Sequence, residues 1–396
     1  MFWMIRPISY VSETHAMNRR DFLKTLSLLS LPLGFFNLAN AAQANPKAIK
    51  RLILVELKGG NDGLNTVVPY KSKEYYKARP TLSLEPEAVL PLDNFIGLNP
   101  VLETLMPMWD KRELGIIQGV GYPNPNRSHF KSIDIWNTAN PTSATDDTEG
   151  WIPQILHGKE LTGVAIGNNL GPLYSQDLST IGLVSPNQIL KLGKNIKVNE
   201  MSSSNEALNH VLKVQESTNS LYEKFKVALT EHDIKPSVVF PNDAFGKSML
   251  SVYQLIMSRL DIPTFKVSLA GFDTHINQIK PHANKLKQLA TTLAAMRTNL
   301  IAAGEWDNTL ILTYSEFGRR LKENANKGTD HGAAAPHFIM GGRVRGGLYG
   351  TYPTLNKLDD RGDLIHTVDF RDIYATIAKN WWGLEPKFGH QYMGFL

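Results

Sequence analysis

Two short motifs in this 396-residue chain carry side chains that can do metal or proton chemistry. They are Asp273-Thr274-His275 and Asp330-His331. In an extended chain, residues two apart point to the same side. Asp273 and His275 can therefore offer an oxygen and an imidazole nitrogen to one ion, with His331 and Asp330 completing the set. Carboxylate plus imidazole without sulfur suits zinc, manganese, iron or nickel, and an all-oxygen set suits calcium or magnesium. A catalytic site keeps one coordination position open. Three further residues belong with these. Asp62 is a metal ligand or an Asx-turn residue between glycines. Glu316 is a ligand, a general base or the ion-pair partner of Arg319 or Arg320. Ser128 is a helix cap or a hydroxyl nucleophile at a strand-to-helix turn. Taken singly, each has a plain structural reading: Asp273 capping a turn, His275 hydrogen-bonded on a rim. Their common placement favours chemistry. His129 reads as a rim residue or an acid, Arg127 as an anion ligand or a solvated side chain, and His337 as a satisfied core histidine.

That placement follows from the elements. Residues 51–57 form a buried apolar run ending in a late charge. The turn Gly59-Gly60-Asn61-Asp62-Gly63-Leu64-Asn65 follows at its carboxyl end. Residues 113–120 read as a second core strand, and the turn-rich loop 121–130 leads into a helical pattern that Ser128 and His129 open. Residues 265–270 alternate as a strand and stop at Gly271-Phe272-Asp273. Residues 309–314 climb to Ser315-Glu316-Phe317-Gly318-Arg319, and residues 336–342 read as another buried strand. Helical spacing marks 99–112, 205–231, 243–260, 283–303 and 367–382; residues 161–166 read as a strand. Ligands of open α/β sheets bind beyond the carboxyl ends of strands, which is where these polar tips fall. The expected architecture is thus α/β: a doubly wound, mostly parallel sheet with helices on both faces. Residues 42–396 read as one domain, with a rim insertion at about 138–205.

The amino terminus reads as an export signal instead of fold. Asn18-Arg19-Arg20-Asp21-Phe22-Leu23-Lys24 precedes an apolar run, and Ala39-Asn40-Ala41 is a small-x-small cleavage site. The paired arginines resemble a twin-arginine signal, so residues 1–41 are expected to be removed, with Met17 as an alternative start. The expected partner is the twin-arginine export machinery, and the expected location is periplasmic or secreted. Losing that segment takes four basic and two acidic residues, and the net charge of +5 falls by two. So small a charge gives no case for nucleic acid. With 42% hydrophobic and 20% charged residues, the chain can bury a sizeable core. No run is long enough to span a membrane once the signal has left. The absence of cysteine excludes disulfides, thiolate metal sites and a cysteine nucleophile.

Five motifs in order carry a family resemblance: Arg19-Arg20-x-Phe22-Leu23-Lys24, Gly59 to Asn65, Gly271-Phe272-Asp273-Thr274-His275-x-x-Gln278, Ser315 to Arg319, and Gly328-Thr329-Asp330-His331-Gly332. Together they resemble the secreted bacterial family known as domain of unknown function 1501, over essentially all of residues 18–396. That family is related to the alkaline phosphatase and sulfatase superfamily. The resemblance implies an alkaline phosphatase-like fold and metal-assisted cleavage of a small anionic phosphate or sulfate ester. It places Asp62 at the metal ligand after the first strand, Ser128 at the nucleophile and His331 at the last histidine ligand. Two departures stand out. Asp273-x-His275 is two residues shorter than the superfamily's Asp-x-x-x-His, and Phe317 stands where its Ser-Asp-His-Gly has a histidine. The function expected is a metal-dependent ester hydrolase; the alternative is a non-catalytic envelope binding protein on the same scaffold.

Overall fold

The strand Arg51–Lys58 (β1) is the spine of the molecule: every residue but Lys58 is buried. A strand covered on both faces reads as a continuous apolar run because neither side meets water. Its two buried charges are neutralised locally. Arg51 pairs with Glu305 at 3.0 Å, and Glu56 pairs with Lys266 at 2.8 Å. The computed structural model describes residues 48–141, 149–176, 179–185, 223–228, 234–389 and 391–396. The expected signal segment lies outside the described residues, as does most of the helix expected at 205–231.

Eight further strands join β1 in one sheet: Leu114–Gly121 (β5), Gly163–Ile166 (β6), Thr180–Leu183 (β7), Thr264–Ala270 (β8), Thr309–Tyr314 (β9), Ala335–Gly341 (β10), Gly347–Tyr349 (β11) and Val368–Asp369 (β12). Val67–Val68 (β2), Leu90–Pro91 (β3) and Gly97–Leu98 (β4) form a separate small sheet. The large sheet runs β11-β5-β10-β9-β1-β8-β6-β7, with β12 also paired to β5. All its described pairings are parallel except those of β10, which runs against both β9 and β5. The α/β class and the mostly parallel sheet are as the strand pattern implied. The segment expected as a rim insertion contributes β6 and β7, which extend the sheet on the β8 side.

Alternation along β1 divides the core. Ile53, Val55 and Leu57 face one side, where Ala244–Met257 (α2) and Ile279–Ala302 (α3) pack through Met249, Ile256, Leu289 and Met296. Leu52 and Leu54 face the other, against His129–Thr138 (α1) and Phe370–Thr376 (α4) through Ile135, Trp136 and Tyr374. Helices thus cover both faces. The helix α3 begins four residues before the expected start, because Pro281 falls in its first turn, where no intrahelical N–H is required. The segment expected as a helix over 99–112 is a 3-10 stretch, Pro100–Leu105, followed by a short helix, Met106–Asp110. The closing helix starts at Phe370, capped by Asp369, and widens to a π-helix over Ile377–Trp382. No described helix is long and apolar enough to cross a membrane.

Candidate metal centre

Five loops meet at one edge of the large sheet. Four leave the carboxyl ends of β1, β5, β8 and β9. The fifth enters β10, and because β10 alone is reversed, its amino end lies at the same edge. Close approach of the loops needs bare backbone at two glycines. Gly59 has φ +120°, and a Cβ there would sit 2.4 Å from the Asp273 nitrogen. Gly60 has φ +76°, and a Cβ would sit 2.4 Å from the Phe317 ring. These are conformations that side chains other than glycine's rarely adopt.

The loops bring three histidines and one carboxylate together. Asp273 Oδ1 lies 3.0 Å from His275 Nε2 and 3.2 Å from His331 Nε2. Those two nitrogens are 3.0 Å apart. His129 Nε2 lies 3.5 Å from Asp273 Oδ2. Each imidazole is held from behind. His129 Nδ1 meets Glu316 Oε1 at 2.7 Å, His275 Nδ1 meets Asp330 Oδ1 at 3.2 Å, and His331 Nδ1 meets the Arg127 carbonyl at 2.8 Å. A carboxylate or carbonyl oxygen can only accept, so every Nδ1 carries the proton. In the neutral rings this leaves three Nε2 lone pairs directed at the Asp273 carboxylate. Acceptors 3.0–3.2 Å apart repel unless a proton or a metal cation lies between them. Backing each ligand imidazole with an oxygen acceptor is also how proteins fix the tautomer at metal sites. The donor set therefore fits a divalent ion. His129, Asp273 and His331 by themselves present ligand atoms within 4.8 Å of one another. The side chains of Asp273 and His275 are 47% and 39% exposed, so the centre opens to solvent.

A family model described as "Protein of unknown function (DUF1501)" matches residues 106–386, a span that contains all four of these side chains. The chain belongs to the DUF1501 family. No curated protein matches this DUF1501 chain. Solved structures do. The lipoteichoic acid synthase LtaP from Listeria monocytogenes aligns over 89% of this chain and 77% of its own, at 12% identity and a TM-score of 0.38. A protein in the alkaline phosphatase superfamily from Vibrio parahaemolyticus aligns over 84% and 66%, at 10% identity and 0.36. The C-terminal periplasmic domain of EcEptC from Escherichia coli, in complex with Zn, aligns over 85% and 83%, at 10% identity and 0.34. The similarity to the alkaline phosphatase superfamily is distant at these values, and the chemistry of the site rests on its own geometry.

The site uses the expected residues unevenly in this DUF1501 chain. Asp273, His275 and His331 are together. Asp330 stands one step back, its Oδ1 accepting from His275 and from Asn324 at 3.1 Å. Glu316 is buried, and its oxygens accept from Gly59 N–H, His129 and Ser315. It holds His129 and does not pair with either neighbouring arginine as a first partner. Asp62 stands apart from the cluster. Both its oxygens are taken by the fully buried Arg79 at 2.6 and 2.9 Å, with Gln278 and the Leu64 N–H as further donors. Ser128 is exposed at the start of α1, and its side chain makes no capping bond. The Arg127 guanidinium grips Asp359 at 2.7 Å and Asp363. His337 is buried as expected but not satisfied: its Nδ1 has no hydrogen-bond partner among the described residues.

Sequence reasoning missed His129 as part of this cluster, and it missed Arg319 altogether as a site residue. The signal for His129 was its place at the tip after β5. Ser132, three residues on and on the same helix face, ties α1 to the Glu316 carbonyl. Arg319 is buried and donates to the carbonyls of Gly60 and Thr329 at 2.7 Å, Phe272 at 3.1 Å and Gly59, and to Asp273 Oδ1 at 2.6 Å. The local field follows from these contacts. Partial burial would raise the Asp273 pKa, but the hydrogen bond and charge of Arg319 outweigh it and hold it at about 2. The bond to Glu316 raises the pKa of His129, whereas burial lowers that of His331. Burial pushes Glu316 up, and His129 with the Gly59 N–H brings it below the usual range.

Proposed function

We propose that this protein is an exported, metal-dependent hydrolase of small phosphate or sulfate esters. The observation that carries the reading is the set of three histidines, each with Nδ1 engaged by an oxygen acceptor and Nε2 turned to Asp273. Asp273, His275 and His331 would hold a divalent ion such as zinc or manganese, with His129 as fourth ligand. Such an ion supplies positive charge that stabilises an anionic transition state and lowers the pKa of water. Glu316 and Asp330 keep the imidazoles oriented. Ser128, exposed and not engaged as a cap, would be the hydroxyl that attacks phosphorus or sulfur, with water as the other nucleophile. The ester bond to the leaving oxygen breaks as the new one forms. The twin-arginine pattern at Arg19-Arg20 and the cleavage site at Ala39-Asn40-Ala41 support passage through the twin-arginine machinery to the periplasm or beyond.

Metal content by plasma mass spectrometry, measured beside hydrolysis of aryl phosphate and aryl sulfate probes, tests the proposal. A stoichiometric divalent ion and measurable turnover are expected in the mature protein, and both should be lost in His331→Ala. A chain with no ion sinks the metallohydrolase. A retained ion with no turnover of any ester moves the reading to a non-catalytic binding protein of the envelope. Replacing Arg19 and Arg20 by lysine should trap the uncleaved precursor inside the cell; unchanged export would remove the twin-arginine assignment.

A further inference from the structure

Two carboxylates that lie near the tips of the sheet, Asp62 and Asp273, are each gripped by a buried arginine. Arg79 is fully buried and forks onto both oxygens of Asp62. Its remaining donors meet the carbonyls of Leu321 at 2.9 Å and Arg320 at 2.8 Å, and Asn65 Oδ1 at 3.0 Å. Gln278 closes the same carboxylate from the other side, while its own carbonyl oxygen accepts from Thr329 at 2.6 Å and Thr274 at 3.0 Å. Asp62 therefore has its lone pairs spent in a dry, hydrogen-bonded pair. Glu316, the other acid available to a second ion, is spent likewise on Gly59, His129 and Ser315. Between the histidines the wall is apolar: the Phe317 ring lies 4.9 Å from that of His129 and 4.6 Å from that of His331. Asp273 differs from Asp62 in one respect. Arg319 takes only Oδ1, and Oδ2 faces the His129 imidazole on the open side.

We propose that the centre holds one divalent ion, with Asp62 withdrawn from it by the buried guanidinium of Arg79 and Asp273 held toward it by that of Arg319. Arg319 is then a positioning residue. It reaches Asp273 and the carbonyls of the β1, β8 and β10 loops at once, so the carboxylate, His275 and His331 are set relative to one another by one rigid fork. Lysine keeps the charge but lacks the fork and cannot span those acceptors. The inference rests on the metal-dependent reading above and makes a separate claim about ion count and about what Asp62 and Arg319 do.

Calorimetric titration of the chelator-stripped mature protein with zinc chloride tests it, with thermal melting of each variant alongside. One zinc per chain is expected in the native protein. Asp62→Asn should still take one zinc with its affinity little changed, while its melting temperature falls because Arg79 is left buried without its counter-ion. Arg319→Lys, compared among molecules that still melt cooperatively, should bind zinc about tenfold more weakly, the usual scale for losing a group that orients a ligand. Two zinc ions per native chain, or loss of zinc in Asp62→Asn, would overturn the single-ion assignment and leave the metallohydrolase standing. A lower melting temperature with unchanged zinc affinity in Arg319→Lys would reduce Arg319 to a structural residue. No zinc in the native chain removes the functional reading and this one with it.

Discussion

His275 shows how much of this centre depends on a residue that would touch no ion. Asp330 Oδ1 accepts its Nδ1–H, which turns Nε2 to the cluster and makes it a better donor. Asp330 is half exposed, and its other partner is Asn324. Asp330→Ala should therefore weaken metal binding by roughly 10- to 100-fold and leave the melting temperature nearly unchanged; equal loss of both would show a structural role. His337 behaves in the opposite way. Burial alone lowers its pKa to about 3, and no charged partner offsets that. The ordinary value is about 6.5, so the unfolded chain takes up a proton that the folded chain refuses. Stability contributed by the neutral ring is intact above about pH 6.5 and is lost as pH falls from there toward 3. Denaturant melts of His337→Leu between pH 7 and 4 should lose less stability than the native protein over the same window. A parallel pH dependence would place the acid sensitivity elsewhere. Asp273-x-His275 and Asp330-His331 were legible from residue type and spacing. The role of Asp330 as support was not, because only folding decides which of two adjacent side chains faces the cluster.

At the level of elements, the tips matter more than the strands. β1, β5, β8, β9 and β10 lie within a residue or so of where alternation and apolar runs put them. A strand buried on both faces leaves a strong apolar signature. The turn after β1 is where the geometry is tight. Gly60→Ala forces a Cβ into the Phe317 ring in a backbone conformation with φ +76°, which is strained in any case. A loss of about 1–3 kcal/mol is expected in chemical denaturation, with a weaker ion as Phe317 shifts against His129 and His331. An alanine variant of native stability would show that the loop can relax. The segment expected as a rim insertion at about 138–205 was harder to place. β6 falls within the strand read over 161–166, but β7 is four residues long at the edge of the sheet, where a short strand between Gly, Pro and Asn gives little periodic signal.

For the molecule as a whole, the centre joins loops that are far apart in the chain and otherwise held by the sheet and by Arg319. An ion that binds only the folded state adds stability by mass action, about 2.7 kcal/mol at a hundredfold excess over its dissociation constant. Stripping the protein with a chelator should lower its melting temperature, and adding back zinc should restore it. The same treatment of Asp273→Asn should change nothing. A native protein indifferent to chelator would argue against a bound ion. By itself, the sequence determined the α/β class, the core strands, the polar tips, the family and most of the side chains that gather at the centre, since local periodicity, motifs and residue type encode them. Only the tertiary structure decided which tips converge. Reversal of β10 carried Asp330 and His331 to the edge shared by β1, β5, β8 and β9. Packing of α1 brought His129 onto Glu316, 187 residues away. Arg79 withdrew Asp62 into a dry ion pair 17 residues along. Such pairings are set by how the sheet and helices pack, and no local pattern in the chain records them.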